Sequence, residues 1–261
     1  NAIKIDQSTD EYYTIDWLVK HVPESNGRVG RLGSSYEGFT VVMALLEPHP
    51  ALKVAAPESP MVDGWLGDDW FQNGAYRQIN LGYLTGQTTA RGAGVGMPRA
   101  TNDDYTNFLR AGSVGDYARA AGLEQLPAWH KLLEHPSYDS YWQQQGLDKL
   151  LAKLPGIKVP VMWEQGLWDQ EDMYGANHSW AALEPKDSDN TRNFLVIGPW
   201  RHSQANYDGS YLGDFKFDGD TALQWRRDVL KPFFDQYLKT DAPAAKPPPV
   251  WIFDAASNRW D

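Results

Sequence analysis

The chain has 261 residues, 42% hydrophobic and 22% charged, enough for one sizeable folded unit with a substantial core. A net charge of −10 and a pI near 5.0 argue against nucleic acid as a partner, because phosphate binding rests on clustered Lys and Arg. The absence of cysteine excludes a disulfide framework, a thiolate zinc site and a cysteine nucleophile, and no run approaches the ~18 apolar residues of a membrane helix.

In chain order, Ser8-Thr9-Asp10-Glu11 reads as a capping box that opens a helix reaching about His21, and Asn26-Gly27 as a turn. A short strand at 28–32 then runs into Gly33-Ser34-Ser35-Tyr36-Glu37-Gly38, followed by apolar residues at helical spacing to Leu46. Strand, sharp turn and helix together are the setting of a nucleophile elbow, and the phase from Gly33 selects Ser35 over Ser34. The strict pattern has glycine where this chain has Glu37, with Gly38 one place later; the plain alternative is a glycine-rich turn carrying two polar residues. Glu47-Pro48-His49-Pro50 ends the helix, because proline disfavours its continuation, and a buried strand follows at 52–56.

From 59 to 155 the character changes to Trp, Tyr, Gly, Asp and Gln, with helical stretches expected at 65–83 and 103–109 and no clear buried strand. This segment reads as an inserted helical cap. The α/β rhythm resumes with a strand at 159–165, a helix at 172–183, a strand at 193–197 and a long amphipathic helix at 222–239. Residues 240–249 form a Lys- and Pro-rich linker, and Val250-Trp251-Ile252-Phe253 reads as the first strand of a further domain. The expected organisation is therefore an α/β core in two parts, 1–58 and 156–240, a cap at 59–155, and a linker with the start of another domain at 241–261. Few residues precede the elbow, so the chain is expected to be a fragment of a longer polypeptide.

A serine needs a base to take its proton and an acid to orient that base. In the order Ser, acid, His, the acid should follow the strand at 159–165, where Asp169 leads, with helix capping as its alternative role. The base should follow the strand at 193–197, where His202 sits in a loop; His178 falls within a predicted helix and reads as a surface or packing residue. The backbone N–H of Tyr36, next after the nucleophile, is one expected oxyanion donor. Trp65, Trp70, Trp168 and Trp200 are candidates either for a pocket lining or for core packing.

The stretch from Gly27 to Phe71, together with the words GLWDQEDMYG, GPWRHS and WRRDVLKPFFDQYLK, resembles the α-amino acid ester hydrolases, relatives of bacterial cocaine esterase and the X-Pro dipeptidyl peptidases. The resemblance covers nearly the whole chain. It implies an α/β-hydrolase fold with a helical cap and a C-terminal jelly-roll domain, and Ser35, Asp169 and His202 as nucleophile, acid and base. It further implies a second oxyanion donor, a tyrosine hydroxyl, from outside this chain. The family's substrate ammonium site maps onto Asp69, Glu171 and Asp172, with Asp68 an adjacent alternative to Asp69. Each would otherwise read as a solvated acid or a helix N-terminal charge.

The activity implied is hydrolysis of esters and amides of α-amino acids through an acyl-enzyme, with acyl transfer to water or to amines such as β-lactam nuclei, and with no metal or organic cofactor. A related X-Pro dipeptidyl peptidase, a glutaryl-type acylase, a neutral-ester esterase and a binding module without catalysis are the competing readings. A homo-oligomer in the periplasm or secreted is a further implication of the resemblance. No function attaches to Arg31, which is less usual in this motif.

Overall fold

The computed structural model describes residues 6–88 and 96–261. The opening five residues of the expected first core part, and 89–95 of the expected cap, lie outside the described residues. The chain divides into two compact units, one formed by Asn1–Asp63 with Gln144–Asp261, the other by Gly64–Gln143.

In chain order the elements are α1 (Asp6–His21), β1 (Val29–Ser34), α2 (Tyr36–Leu46), β2 (Leu52–Glu58), β3 (Phe71–Gln72), β4 (Ala75–Tyr76), α3 (Asn80–Thr88), α4 (Asp104–Ala111), α5 (Val114–Ala120), α6 (Pro127–Glu134), α7 (Ser140–Gln143), α8 (Leu147–Ala152), β5 (Val161–Gly166), α9 (Gly175–Leu183), β6 (Asn193–Gly198), β7 (Tyr211–Leu212), β8 (Phe215–Lys216), α10 (Thr221–Trp225), α11 (Lys231–Leu238), β9 (Val250–Asp254) and β10 (Arg259–Trp260).

The first unit is built on one sheet of order β1-β2-β5-β6-β9-β10. Its first five strands run parallel, and β10 folds back antiparallel on β9. A parallel sheet needs cover on both faces, and alternate residues of each strand supply two cores. Ala55, Val161 and Trp163 pack with Ile15, Val41, Leu45, Leu151 and Leu183 of the helices on one side. Val54, Ala56, Met162, Phe194 and Val196 pack with Trp200, Trp225 and Phe233 on the other. The period-2 alternation of pleated strands thus makes Ala55 and Val54 members of different cores. Gly30 permits the close seat of α11 on β1, since a Cβ there would lie 2.9 Å from the Phe234 ring.

The helical run of 221–238 contains a π turn at Arg226–Leu230 between α10 and α11. Pro232 lies just beyond that turn and cannot donate an N–H, the setting in which a helix widens locally.

The second unit packs α3 to α7 and the β3–β4 hairpin around Phe71, Leu81, Leu84, Tyr117, Trp129 and Trp142. Asn73 (φ 50°) and Gly74 (φ 89°) provide the two left-handed residues of its hairpin turn. Asp103 caps α4, and Ser113 with Asp116 forms a complete capping box on α5.

Several expectations are corrected. Helix α1 already runs at Asp6, so Ser8 is a buried residue within its first turn and not its cap. The helical stretch expected at 65–83 is a turn-rich segment and a hairpin before α3 begins at Asn80. The inserted unit is narrower than 59–155, because Leu147 and Leu151 of α8 join the sheet's core. Helix α9 starts at Gly175, three residues after the expected Asp172. The strand after the linker, expected to belong to a further domain, pairs with β6 instead, Leu195 opposite Val250 and Ile197 opposite Ile252, and extends the same sheet. Trp251 and Trp260 pack onto that sheet's core, which is why the strand stays with it.

Candidate active site

Strand β1 delivers Ser35 to the carboxyl edge of the sheet. Ser35 has φ 61° and ψ −120°, and its side chain makes no capping bond to α2. A non-glycine residue held at positive φ costs about 1–3 kcal/mol and is kept only where the surroundings fix it. Here the Ser35 N–H donates to the Glu58 carbonyl at 3.0 Å, and its own carbonyl accepts the Phe39 N–H at 2.9 Å. The flanking glycines are required by contact. A Cβ on Gly33 would lie 2.6 Å from Glu37 Cβ, and one on Gly38 would lie 2.7 Å from the Glu58 carbonyl oxygen. Gly38, not the residue at 37, is the one pressed against β2, so Glu37 is compatible with the elbow. Tyr36 is the first residue of α2, so its N–H has no acceptor within the helix.

The loops after β5 and β6 are stitched together. Leu167 and Trp168 donate their N–H groups to the Gly198 and Trp200 carbonyls at 2.9 and 3.0 Å. Trp200 anchors its loop by burying its indole completely, with Nε1 donating to Thr221 Oγ1 at 2.9 Å. Asp169 and His202 are thereby brought face to face, His202 Nδ1 lying 2.9 and 3.0 Å from the two carboxylate oxygens. An ionised carboxylate only accepts, so Nδ1 carries the proton and Nε2 is the basic nitrogen. Asp169 Oδ1 also accepts the N–H groups of Glu171 at 2.7 Å and Asp172 at 3.2 Å. Asp169 therefore orients the histidine and shapes the turn after β5, but it caps no helix, because α9 begins only at Gly175.

Ser35 and His202 line one cavity of about 510 Å³, together with Ser34, Glu37, Glu58, Glu171 and Asn206. The Ser35 hydroxyl donates to Asp172 Oδ2 at 3.5 Å, and His202 Nε2 lies 3.4 Å from Glu171 Oε2. Catalytic contacts are commonly loose before substrate binds. Asp172 is fully buried, whereas the Glu171 side chain is 36% exposed. Asp69 lies in the second unit, buried, with φ 44°; Asn80 Nδ2 donates to its carbonyl at 2.5 Å and lies 3.3 Å from its Oδ1. Asp68 beside it is fully buried.

Of the tryptophans, Trp200 is core, Trp65 and Trp70 pack in the second unit's core, and Trp168 is 46% exposed. His178 stacks on Tyr174, ring centroids 3.5 Å apart. Arg31 ties the elbow region to its neighbours, with Nη2 donating to Glu11 at 2.8 Å and to Thr40 Oγ1 at 2.7 Å. Sequence reasoning passed over Glu58, Asn206 and Glu164, although a glutamate closing the apolar run of β2 breaks that strand's pattern. Among the described residues, no His, Cys, Asp and Glu cluster has the makings of a metal site.

A parallel sheet with a strained serine after one strand, and a paired acid and histidine after two later strands, is the α/β-hydrolase arrangement. Residues 2–204 match the model of the X-Pro dipeptidyl-peptidase (S15 family), and the chain belongs to that family. It superposes on a selenomethionine-labelled α-amino acid ester hydrolase with a TM-score of 0.95 and 66% identity, over 98% of this chain and 41% of that one. It superposes on an aminopeptidase from the marine sediment archaeon Thaumarchaeota archaeon with a TM-score of 0.94 and 47% identity, over 98% and 42%. It is 27% identical to cocaine esterase of Rhodococcus sp. (strain MB1 Bresler) over 98% of this chain and 45% of the relative. The chain thus spans less than half the length of these relatives.

Proposed function

We propose that this chain carries the serine, acid and base of an acyl hydrolase and transferase acting on esters and amides of α-amino acids. The observation that carries this reading is His202, paired with Asp169 at 2.9 Å, sharing a cavity with the strained Ser35. In this reaction His202 Nε2 takes the Ser35 proton as Oγ attacks the acyl carbonyl. The developing oxyanion is met by the Tyr36 N–H, a donor fixed before the reaction starts. His202 then gives the proton to the departing alcohol or amine, leaving the acyl chain on Ser35. Water, or an amine such as a β-lactam nucleus, attacks next while His202 again acts as base. The resemblance to α-amino acid ester hydrolases assigns the substrate's α-ammonium to Asp69, Glu171 and Asp172, a role suited to carboxylates because an opposite charge favours their ionised form. Similarity to an α-amino acid ester hydrolase at 66% identity supports this substrate class.

The test compares phenylglycine methyl ester with its des-amino analogue, phenylacetic methyl ester, in the full-length protein and its Asp69→Asn variant. The amino ester is expected to be preferred, and the variant to lose at least tenfold in kcat/KM on it while changing little on the neutral ester. Equal losses on both esters would overturn the ammonium role. The aminopeptidase similarity favours a second reading, in which phenylglycine amides and short peptides are turned over faster than the ester.

A further inference from the structure

Glu58 ends β2 and Glu164 lies in β5, and the reaction above uses neither. Each is 1% exposed. They are register partners on adjacent parallel strands, so their side chains leave the same face of the sheet. Asn206 Nδ2 donates to Glu58 Oε2 at 2.5 Å, whereas Glu58 Oε1 and Glu164 Oε2 are buried with no hydrogen-bond partner among the described residues. Asp169 differs sharply: it receives two backbone N–H groups and the His202 Nδ1 proton. A buried carboxylate with an oxygen left without a donor is relieved by taking a proton, and a well-solvated or fully bonded one is not. The donor inventory therefore decides which carboxyls near the catalytic edge are neutral. Glu58 also lines the cavity holding Ser35 and His202.

We propose that Glu58 and Glu164 hold one proton between them, as a carboxylic acid–carboxylate pair, and so set the negative charge against which His202 works as a base. The role rests on the reading of His202 as the general base; the shared proton does not. Burial pushes Glu58 up to about 7, with Asn206 and Arg226 opposing. Burial, reinforced by the charges of Glu58 and Asp169, raises Glu164 well above the usual carboxylate range, with Ser59 opposing. The other charged or titratable groups bordering the cavity with Glu58 are Glu37, Glu171, His202 and Tyr207. If both glutamates were ionised, their charges would add to those of Asp169 and Glu171 and draw a proton onto His202, which would remove the base. With the proton shared, the pair is a positioning device that acts through the field at the imidazole.

Infrared spectroscopy of the full-length protein at neutral pH tests the pair without reference to activity. A deuterium-sensitive C=O stretch of one protonated, buried carboxyl is expected, and it should vanish in E164Q. Kinetics on the amino ester test the role. The acidic limb of the kcat/KM profile should hold its position in E164Q, where the amide replaces the neutral partner and Glu58 keeps the charge. In E58Q/E164Q, which lacks that charge, the limb should move to lower pH by up to about one unit. An active wild-type protein with no such band, a band that survives in E164Q, or limbs that coincide in all three proteins would overturn the proposal. A band in a wild-type protein that turns over neither ester would sink the hydrolase reading, and with it the role given to the pair.

Discussion

The helices α2 and α5 each have a serine at the N-cap, and the two starts are opposites. At α5, Ser113 has φ −76° and ψ 157°; its hydroxyl accepts the Asp116 N–H and donates to the Asp116 carboxylate. At α2, Ser35 has φ 61° and ψ −120° and makes no such bond. The third residue on differs too: Asp116 completes a box, while Gly38 has no side chain to return. One hydroxyl is consumed by its helix and the other is kept available, at the cost of backbone strain. The neighbouring carboxyls follow the same division. Ser113 and its donors hold Asp116 below the usual carboxylate range, whereas burial raises Glu58, whose carbonyl receives the Ser35 N–H, to about 7. A serine at a helix start is thus read by its backbone and by what lies three residues further on.

The contrast breaks most visibly at Ser35. Ser35→Ala in the full-length protein should lower kcat on the amino ester by about 10⁴-fold or more, without lowering the melting temperature. A residual rate within tenfold of wild type would remove Ser35 as nucleophile. The second expected effect is on stability. Glu58 rises from 4.5 to about 7 and its partner Glu164 is raised too, so between these values the folded pair holds a proton that the unfolded chain has released. Its contribution is complete below pH 4.5 and is lost as pH rises through 7, about 3 kcal/mol in all. Urea unfolding across this range should show stability falling with pH, and Glu58→Gln should flatten the slope. Asp116, being lowered, acts with the opposite sign and loses its contribution only as pH falls. The smallest effect is at the other serine. Ser113→Ala should cost about 1 kcal/mol and a few degrees of melting temperature, with turnover unchanged. A loss of turnover there would erase the distinction between the two helix starts.

The parts of this molecule legible in its sequence are those governed by local pattern. The elbow, the helix Tyr36–Leu46 and the loops carrying Asp169 and His202 follow from glycine spacing, period-3.6 apolar residues and short apolar runs that end in a turn. What stayed hidden depends on distant partners. The strand at Val250–Asp254 has the same composition whichever sheet it joins; its pairing with β6 is set by the fold. The π turn in the long helix and the burial of Glu164 beside Glu58 are likewise set by tertiary packing. Asn73-Gly74 carries a hairpin-turn signal, but it lies inside the stretch 65–83 read as helical.

Gly30 and Gly38, both close-packed in the first unit, differ in how they constrain future change. At Gly30 the obstacle to a larger residue is the Phe234 ring, so a smaller side chain at 234 could make room, and the two positions are free to evolve as a pair. At Gly38 the obstacle is the Glu58 carbonyl and the Pro60 backbone, which every residue type carries. No second-site side-chain substitution lifts that restriction. The turn is therefore closed to redesign at Gly38, and variation in the surroundings of Ser35 is channelled into Glu37 and the loops that face it.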